Sequence, residues 1–439
     1  MISQKHKELA QHIITFAKQN GCSACRANIS AGTDTSFEIR DEKLDTLQQA
    51  SENRLSVTLF VDERYGSFST NCLEKKEVEI ALKKAIESTR YLAPDPHRTL
   101  PQVDMYYKGQ DAIDANYDKV IETLQAENKL QLAKAAVAEA YKTDSRIISV
   151  TGGYRDATNF SYLVDSNGFE GERAQTYFSL GAGVSLKDVG DERPEASWSD
   201  ASMFWDKLQK TGIGKQALER VLRKLGQKKI ASGKYTMLLE NTVSNRLLSP
   251  MISAMNGSAL AQRNSFLIAK LDTKITADIL TLTDDPHLPK AMGSRWFDNE
   301  GVATKKRVVI ENGVLRTYFI DTYSARKMNI APTISGPSIL TLKHGDKDLD
   351  GLVGGLKKGI LVTGFNGGNS NSVSGDFSFG IEGFLIENGK IVKPVSEMNI
   401  TGNLLKLWER LVAVGNDPRE SSSTRVPTLV FDDVAFSGL

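Results

Sequence analysis

Two acid-bearing loops hold the residue types best placed for chemistry in this 439-residue chain. "RWFDNEGVAT" sets Asp298 and Glu300 beside Gly301, and "GFNGGNSNSVSGDFSFGIEG" runs through Asn366, Gly367 and Gly368 to Asp376. Such loops can line a cleft, because glycines let a ligand's backbone approach closely. Asp298, Glu300 and Asp376 together could also serve an enzyme as acids or bases. The same composition makes ordinary turns, with Asp298 capping or pairing inside its own loop, and the residues taken alone favour turns.

Other chemistry finds less support. The five histidines (His6, His12, His97, His287 and His344) are never four or five residues apart, and none precedes a glutamate. A zinc-activated water needs about three protein ligands converging on one point, and no local cluster supplies them. No G-x-S-x-G nucleophile elbow and no G-x-x-x-x-G-K-[ST] phosphate loop occurs. Cys22-Ser-Ala-Cys25 could be a redox pair or half a zinc knuckle. Zinc needs a second pair, and Cys72 stands alone. A redox pair belongs at a helix start after a strand, where the helix dipole lowers the thiol pKa. Here the pair follows a helix and leads into the strand-like "CRANIS", so it reads as two small buried residues at a turn.

The elements that must position these residues fall into three blocks. Residues 1–95 read as helix, strands and helix: an amphipathic "MISQKHKELAQHIITFAKQNG", alternating runs in "TSFEIRD", "RLSVTLFVDE" and "YGSFSTN", then a helix in "CLEKKEVEIALKKAIESTRYL". Pro94 and Pro96 end that block. Residues 110–227 offer a helix over 126–142, a hairpin turning at Ser166-Asn167-Gly168, and a helix ending near Gly226. Residues 230–439 are strand-rich. "LLENTVSNRLLSPMISAMNG" runs a strand into an apolar helix, and Glu311-Asn312-Gly313 and Glu387-Asn388-Gly389 mark two hairpins that point to a curved sheet or barrel. "TGNLLKLWERLVAVGND" reads as a helix and "TRVPTLVFDDVAF" as a closing strand. The expected class is α+β: two amino-terminal domains of antiparallel sheet and helix, then a barrel-like carboxy-terminal domain.

Bulk composition excludes several functions. With Lys plus Arg at 55 and Asp plus Glu at 54, nothing electrostatic points to nucleic acid or an anionic membrane as partner. No run of 18 apolar residues occurs, so no membrane span is expected, and the amino terminus lacks the core and cleavage site of a signal peptide. Three cysteines in a chain this long point to the cytoplasm.

Two longer stretches resemble a known family. "DDPHLPKAMGSRWFDNEGVATKKRVVIENGVLRTYFIDTYSARKM" and "GILVTGFNGGNSNSVSGDFSFGIEGFLIENGKIVKPVSEMNITGNLLKLWERLVAVGND" are similar to signature regions of the TldD/PmbA family, the U62-type peptidases once named modulators of DNA gyrase. The gyrase label implies no DNA binding here, given the charge balance. TldD-type members carry His-Glu-x-x-x-His after a strand, with a later Cys completing a metal site, and degrade unfolded or flexible peptides. Laid on this chain, the motif puts Ser249-Pro250 in place of His-Glu and Ala254 in place of the second His. No Cys follows residue 72. The resemblance is therefore to the PmbA (TldE) branch, whose members lack the ligands and pair with a TldD-type subunit. It implies no metal and no cofactor in this chain, zinc in the partner, and little or no catalysis by the chain alone. It implies a heterodimer that handles unfolded peptide, with Asp298, Glu300, Gly301, Asn366, Gly367, Gly368 and Asp376 as candidates for a substrate or partner cleft. A stand-alone peptide-binding or scaffold homodimer is the alternative.

Overall fold

A computed structural model describes residues 1–109 and 115–439. The expected start of the middle block at residue 110 lies outside the described residues.

Helix α1 (Gln4–Gln19) starts where Ser3 accepts a hydrogen bond from the His6 N–H. Three strands follow, β1 (Ala24–Arg40), β2 (Lys43–Val61) and β3 (Arg64–Thr70), then helix α2 (Lys75–Thr89). The middle block adds α3 (Ala126–Ala138), β4 (Ile147–Asp165), β5 (Glu170–Leu186), β6 (Glu195–Ser202) and α4 (Ile213–Leu222). The two blocks share one antiparallel sheet in the order β3-β2-β1-β4-β5-β6, because β1 pairs with β4 along Arg26–Arg40. Each keeps its own core at one end of these long strands. Cys25, Ala27 and Ile29 of β1 pack beneath α1 and α2, while Phe37 and Ile39 of the same strand pack beneath α3 and α4. All five are odd-numbered, so both cores lie on one face. The other face stays open and is rich in Ser, Thr and Gly. β4 and β5 turn at the expected Asn167-Gly168, with Asp165 accepting from the N–H groups of Asn167 and Phe169.

The carboxy-terminal block contains two sheets. Strand β7 (Gly233–Leu239) leads into helices α5 (Asn245–Ala254) and α6 (Gly257–Ala261). A smaller sheet then forms from β8 (Leu282–Asp284), β9 (Arg307–Glu311), β10 (Val314–Leu315) and β11 (Leu340–Leu342), interrupted by helix α7 (Thr322–Met328) and followed by α8 (Leu349–Gly354). Next come β12 (Lys358–Ser370), β13 (Asp376–Glu387) and β14 (Lys390–Asn403). Helix α9 (Leu404–Trp408) and strands β15 (Leu411–Val414), β16 (Thr424–Arg425) and β17 (Leu429–Ser437) complete the chain. Strands β7, β12, β13, β14 and β17 close on themselves, the last seam being Asn399 opposite Ser437 and Ile400 opposite Phe436. The expected barrel is thus present. Alternate residues face opposite ways: Met237, Leu239, Ile360 and Val362 join the large core with α5, while Leu238 and Leu361 sit against α8.

Three elements depart from expectation. The helix expected over 126–142 stops at Ala138. The predicted helix over "TGNLLKLWERLVAVGND" ends at Trp408, and Leu411–Val414 instead pairs with β17, because β-branched Val412 and Val414 suit a ladder better than a helix turn. The first Glu-Asn-Gly hairpin belongs to the small sheet, with only Val314 and Leu315 returning along β9, and the second belongs to the barrel.

Candidate functional site: a groove beside helix α5

The junction between β7 and α5 is firmly tied. Buried Glu240 accepts two hydrogen bonds from the Arg220 guanidinium, at 2.6 and 3.1 Å, and another from the Thr242 hydroxyl. Its charge is therefore compensated and its lone pairs are taken. The Ser244 hydroxyl bridges the carbonyls of Asn241 and Val426, which locks α5 against the segment leading to β17. In that segment Asp417 accepts from the N–H and hydroxyl of Thr428 and its carbonyl from the Asn241 amide.

Helix α5 buries Leu247, Leu248, Met251 and Ala254 and leaves Asn245, Arg246 and Ser249 exposed. Pro250 inside it has no N–H to give the Arg246 carbonyl. Facing the helix is the outer half of β12. Its inner half pairs with β7 only over Gly359–Val362, so among the described residues the strand beyond Val362 has β13 on one side and an open edge on the other. A bulge at Phe365–Gly368 turns this edge, with Gly367 and Gly368 at φ +85° and +88°. A Cβ on Gly368 would lie 2.1 Å from the Ser378 carbonyl oxygen, so only glycine fits. The Gly368 carbonyl accepts a 3.0 Å hydrogen bond from Arg246, which shows that the open edge faces α5.

Between helix and edge lies a groove of about 860 Å³, lined by Asn245, Arg246, Ser249, Pro250, Gly368 and Ser370 and by the rings of Phe365 and Phe379. Through Thr242 and Val243 it adjoins a second cavity of about 790 Å³ that reaches the open face of the large sheet. Trp198, which also packs against the core under α3 and α4, lines this cavity with the guanidinium groups of Arg220 and Arg419 at 5.5 and 4.4 Å from its ring.

Among the residues singled out in the sequence, Ser249, Pro250 and Gly368 meet in the groove, while Ala254 is 3 % exposed and packs in the core. Asn366 and Gly367 are exposed on the bulge beside it. The other candidates lie elsewhere, which corrects the grouping of all seven as one cleft. Asp298 is fully buried and accepts hydrogen bonds from the N–H groups of Glu300, Val302 and Ser335 at 2.8 to 3.0 Å. Glu300 accepts from the N–H and hydroxyl of Thr322, both at 2.9 Å, and burial raises its carboxyl pKa. Gly301, at φ +86°, lies against the Phe169 ring. Arg26 on β1 donates to the Glu300 carbonyl and Arg173 on β5 to the Asp298 carbonyl, so this loop clasps the sheet to the carboxy-terminal block. Asp376 is exposed in the β12–β13 turn, where Asn403 and Ser374 donate to it and lower its pKa. Cys22 and Cys25 are buried, and burial raises both thiols, Cys22 to about 11, the reverse of a redox pair.

Sequence reasoning missed Arg246 and the aromatic wall. Arg246 precedes Ser249 by three residues, one helical turn, but its partner Gly368 is 122 residues away.

A sheet with two cores joined to a closed barrel, with a groove where a strand runs into a helix, defines an α+β architecture that solved structures share. The chain belongs to the PmbA/TldD family. Three family models cover it in order: PmbA/TldA metallopeptidase domain 1 over residues 25–89, the central domain over 119–225 and the C-terminal domain over 232–438. It is 27 % identical to the metalloprotease PmbA of Escherichia coli O157:H7, covering 93 % of this chain and 91 % of that protein. A crystal structure from Bacteroides thetaiotaomicron, described as a candidate modulator of DNA gyrase, matches with a TM-score of 0.98 and 57 % identity over 100 % of both chains. TldE from Thermococcus kodakarensis shares the fold, with a TM-score of 0.87 at 19 % identity, covering 98 % of this chain and 100 % of that one.

The family name implies a metal, and the donor set here does not fit one. The groove presents the hydroxyls of Thr242, Ser249 and Ser370, the amides of Asn245 and Asn369, the Arg246 guanidinium and a proline, and the nearby Glu240 is bound by Arg220. Zinc sites use thiolate, imidazole or free carboxylate. Among the described residues no three His, Cys, Asp or Glu side chains converge.

Proposed function

We propose that this chain is a metal-free, PmbA/TldE-like subunit of a TldD/PmbA-type metalloprotease complex that acts on unfolded or flexible peptides. One observation supports this reading: the groove beside α5 has an open strand edge for one wall, and its helix wall carries Ser249 and Pro250 at the positions where the family resemblance places metal ligands. An extended peptide can add to such an edge through backbone hydrogen bonds, which gives affinity with little sequence preference. Its role is to help enclose the substrate path of a zinc-bearing TldD-type subunit. The cytoplasm is the compartment we assign, consistent with three free cysteines. Among the described residues no helix is long and apolar enough to cross a membrane.

Co-expression with a TldD-type protein tests the assignment. The expected result is co-elution of the two chains, zinc only in the partner, and faster peptide cleavage by the pair than by either alone. A stable homodimer that refuses the partner would favour a stand-alone peptide-binding role. A partner that cleaves equally well alone would overturn the proposal.

A further inference from the structure

The charge lining the groove is of one sign. Arg246 is its single charged residue, and among the described residues no carboxylate lies within 4.0 Å of its guanidinium. The neighbouring cavity differs: Arg220 is paired with Glu240, and Lys224 with Glu382 at 2.5 Å. Arg246 is also preorganised. Its guanidinium lies over the Phe379 ring, 4.9 Å from the centroid, and makes one hydrogen bond, to the Gly368 carbonyl on the open edge. Phe379 is held edge-on by Phe365 at 5.6 Å. Of the five guanidinium N–H donors one is engaged in this way, which leaves a forked pair for a planar acceptor.

We propose that this groove binds a carboxylate carried by an extended peptide, with Arg246 as its counter-charge. The inference rests on the peptide-groove reading above and adds a specificity to it. A strand arriving on the edge takes over the Gly368 carbonyl, and the guanidinium it releases stays over Phe379, facing the ligand. The carboxylate can be the free carboxy terminus of the peptide or an acidic side chain along it. Both present the same planar, bidentate acceptor.

Calorimetric titration of the full-length chain separates these cases. The probes are an acetylated penta-peptide, Ala-Val-Thr-Val-Ala, as the free acid, as the amide, and as the amide with its central Thr replaced by Glu. The free acid is expected to bind about tenfold more tightly than the plain amide at low salt, and the difference to shrink as salt rises. If the Glu-bearing amide binds as tightly as the acid, the site reads acidic side chains too; if it binds like the plain amide, the site reads chain ends. Arg246→Gln should erase the preference of acid over amide, and Arg246→Lys should restore part of it. Equal binding of acid and both amides by the unmodified chain would overturn the carboxylate inference and leave the peptide groove intact. So would a preference that survives in Arg246→Gln. Failure of every peptide to bind would overturn the groove reading as well.

Discussion

At the scale of single residues, the acidic loop 297–302 shows how a chemical-looking pattern becomes structure. Asp298 holds three backbone N–H groups that no other acceptor serves, and a buried carboxylate so bound organises a loop rather than reacting. Glu300 beside it makes a pH prediction. Burial is the largest influence on it and raises its pKa above the ordinary value of 4.5, against smaller opposing effects from Thr322 and Arg26. A carboxyl raised on folding favours the folded state most while protonated. That contribution is complete below about pH 4.5 and is lost as pH rises through the folded value. Glu300→Gln mimics the protonated form and can still accept from Thr322. The variant should match the parent in urea melts at pH 4 and exceed it by about 1 kcal/mol at pH 7.5. A variant weaker at pH 7.5 would show that the ionised form, held by Arg26 and Thr322, is the stabilising one.

At the scale of elements, what the sequence made legible follows from local chemistry. Asn-Gly and Glu-Asn-Gly turns were readable because few residues accept positive φ at successive positions, and Asn312, Gly313, Asn388 and Gly389 all adopt it. The run of β7 into α5 was readable from its apolar spacing. The outer part of β2, Lys43–Arg54, was not: it is exposed on both faces and shows no alternation, and it is a strand because β1 pairs with it. The groove was half legible. Ser249, Pro250 and Gly368 were named beforehand, but nothing local says that α5 and the far half of β12 face each other. Helix α5 also supports a prediction. Pro250 removes one helical hydrogen bond from a ten-residue helix whose other face is fully packed. Pro250→Ala should therefore raise the melting temperature, by the equivalent of about 1 kcal/mol. A lower melting temperature would mean that the proline fixes the line of the helix against the barrel.

At the scale of the whole molecule, Arg26 and Arg173 clasp the open face of the large sheet to the loop before β9, while α4 and the turn after it are tied to the barrel through Arg220 to Glu240 and Lys224 to Glu382. The groove and the Trp198 cavity together form a path from the barrel to the sheet, with Thr242 and Val243 lining both. The family resemblance places metal ligands in two separate places, the face of α5 and the stretch 416–428 before β17. Both have been committed to other work: Ala254 is packed in the core, and Asp417 is tied to Asn241 and Thr428. Restoring the helix motif alone, as Ser249→His with Pro250→Glu and Ala254→His, should therefore not create a tight zinc site. An imidazole at position 254 overfills a close-packed core, which typically costs about 1–3 kcal/mol, and no thiolate waits in the facing segment. The triple variant is expected to melt lower than the parent and to carry far less than one zinc per chain by elemental analysis after dialysis. One zinc per chain with an unchanged melting temperature would show instead that this frame can hold a metal centre once imidazole and carboxylate stand at these three positions.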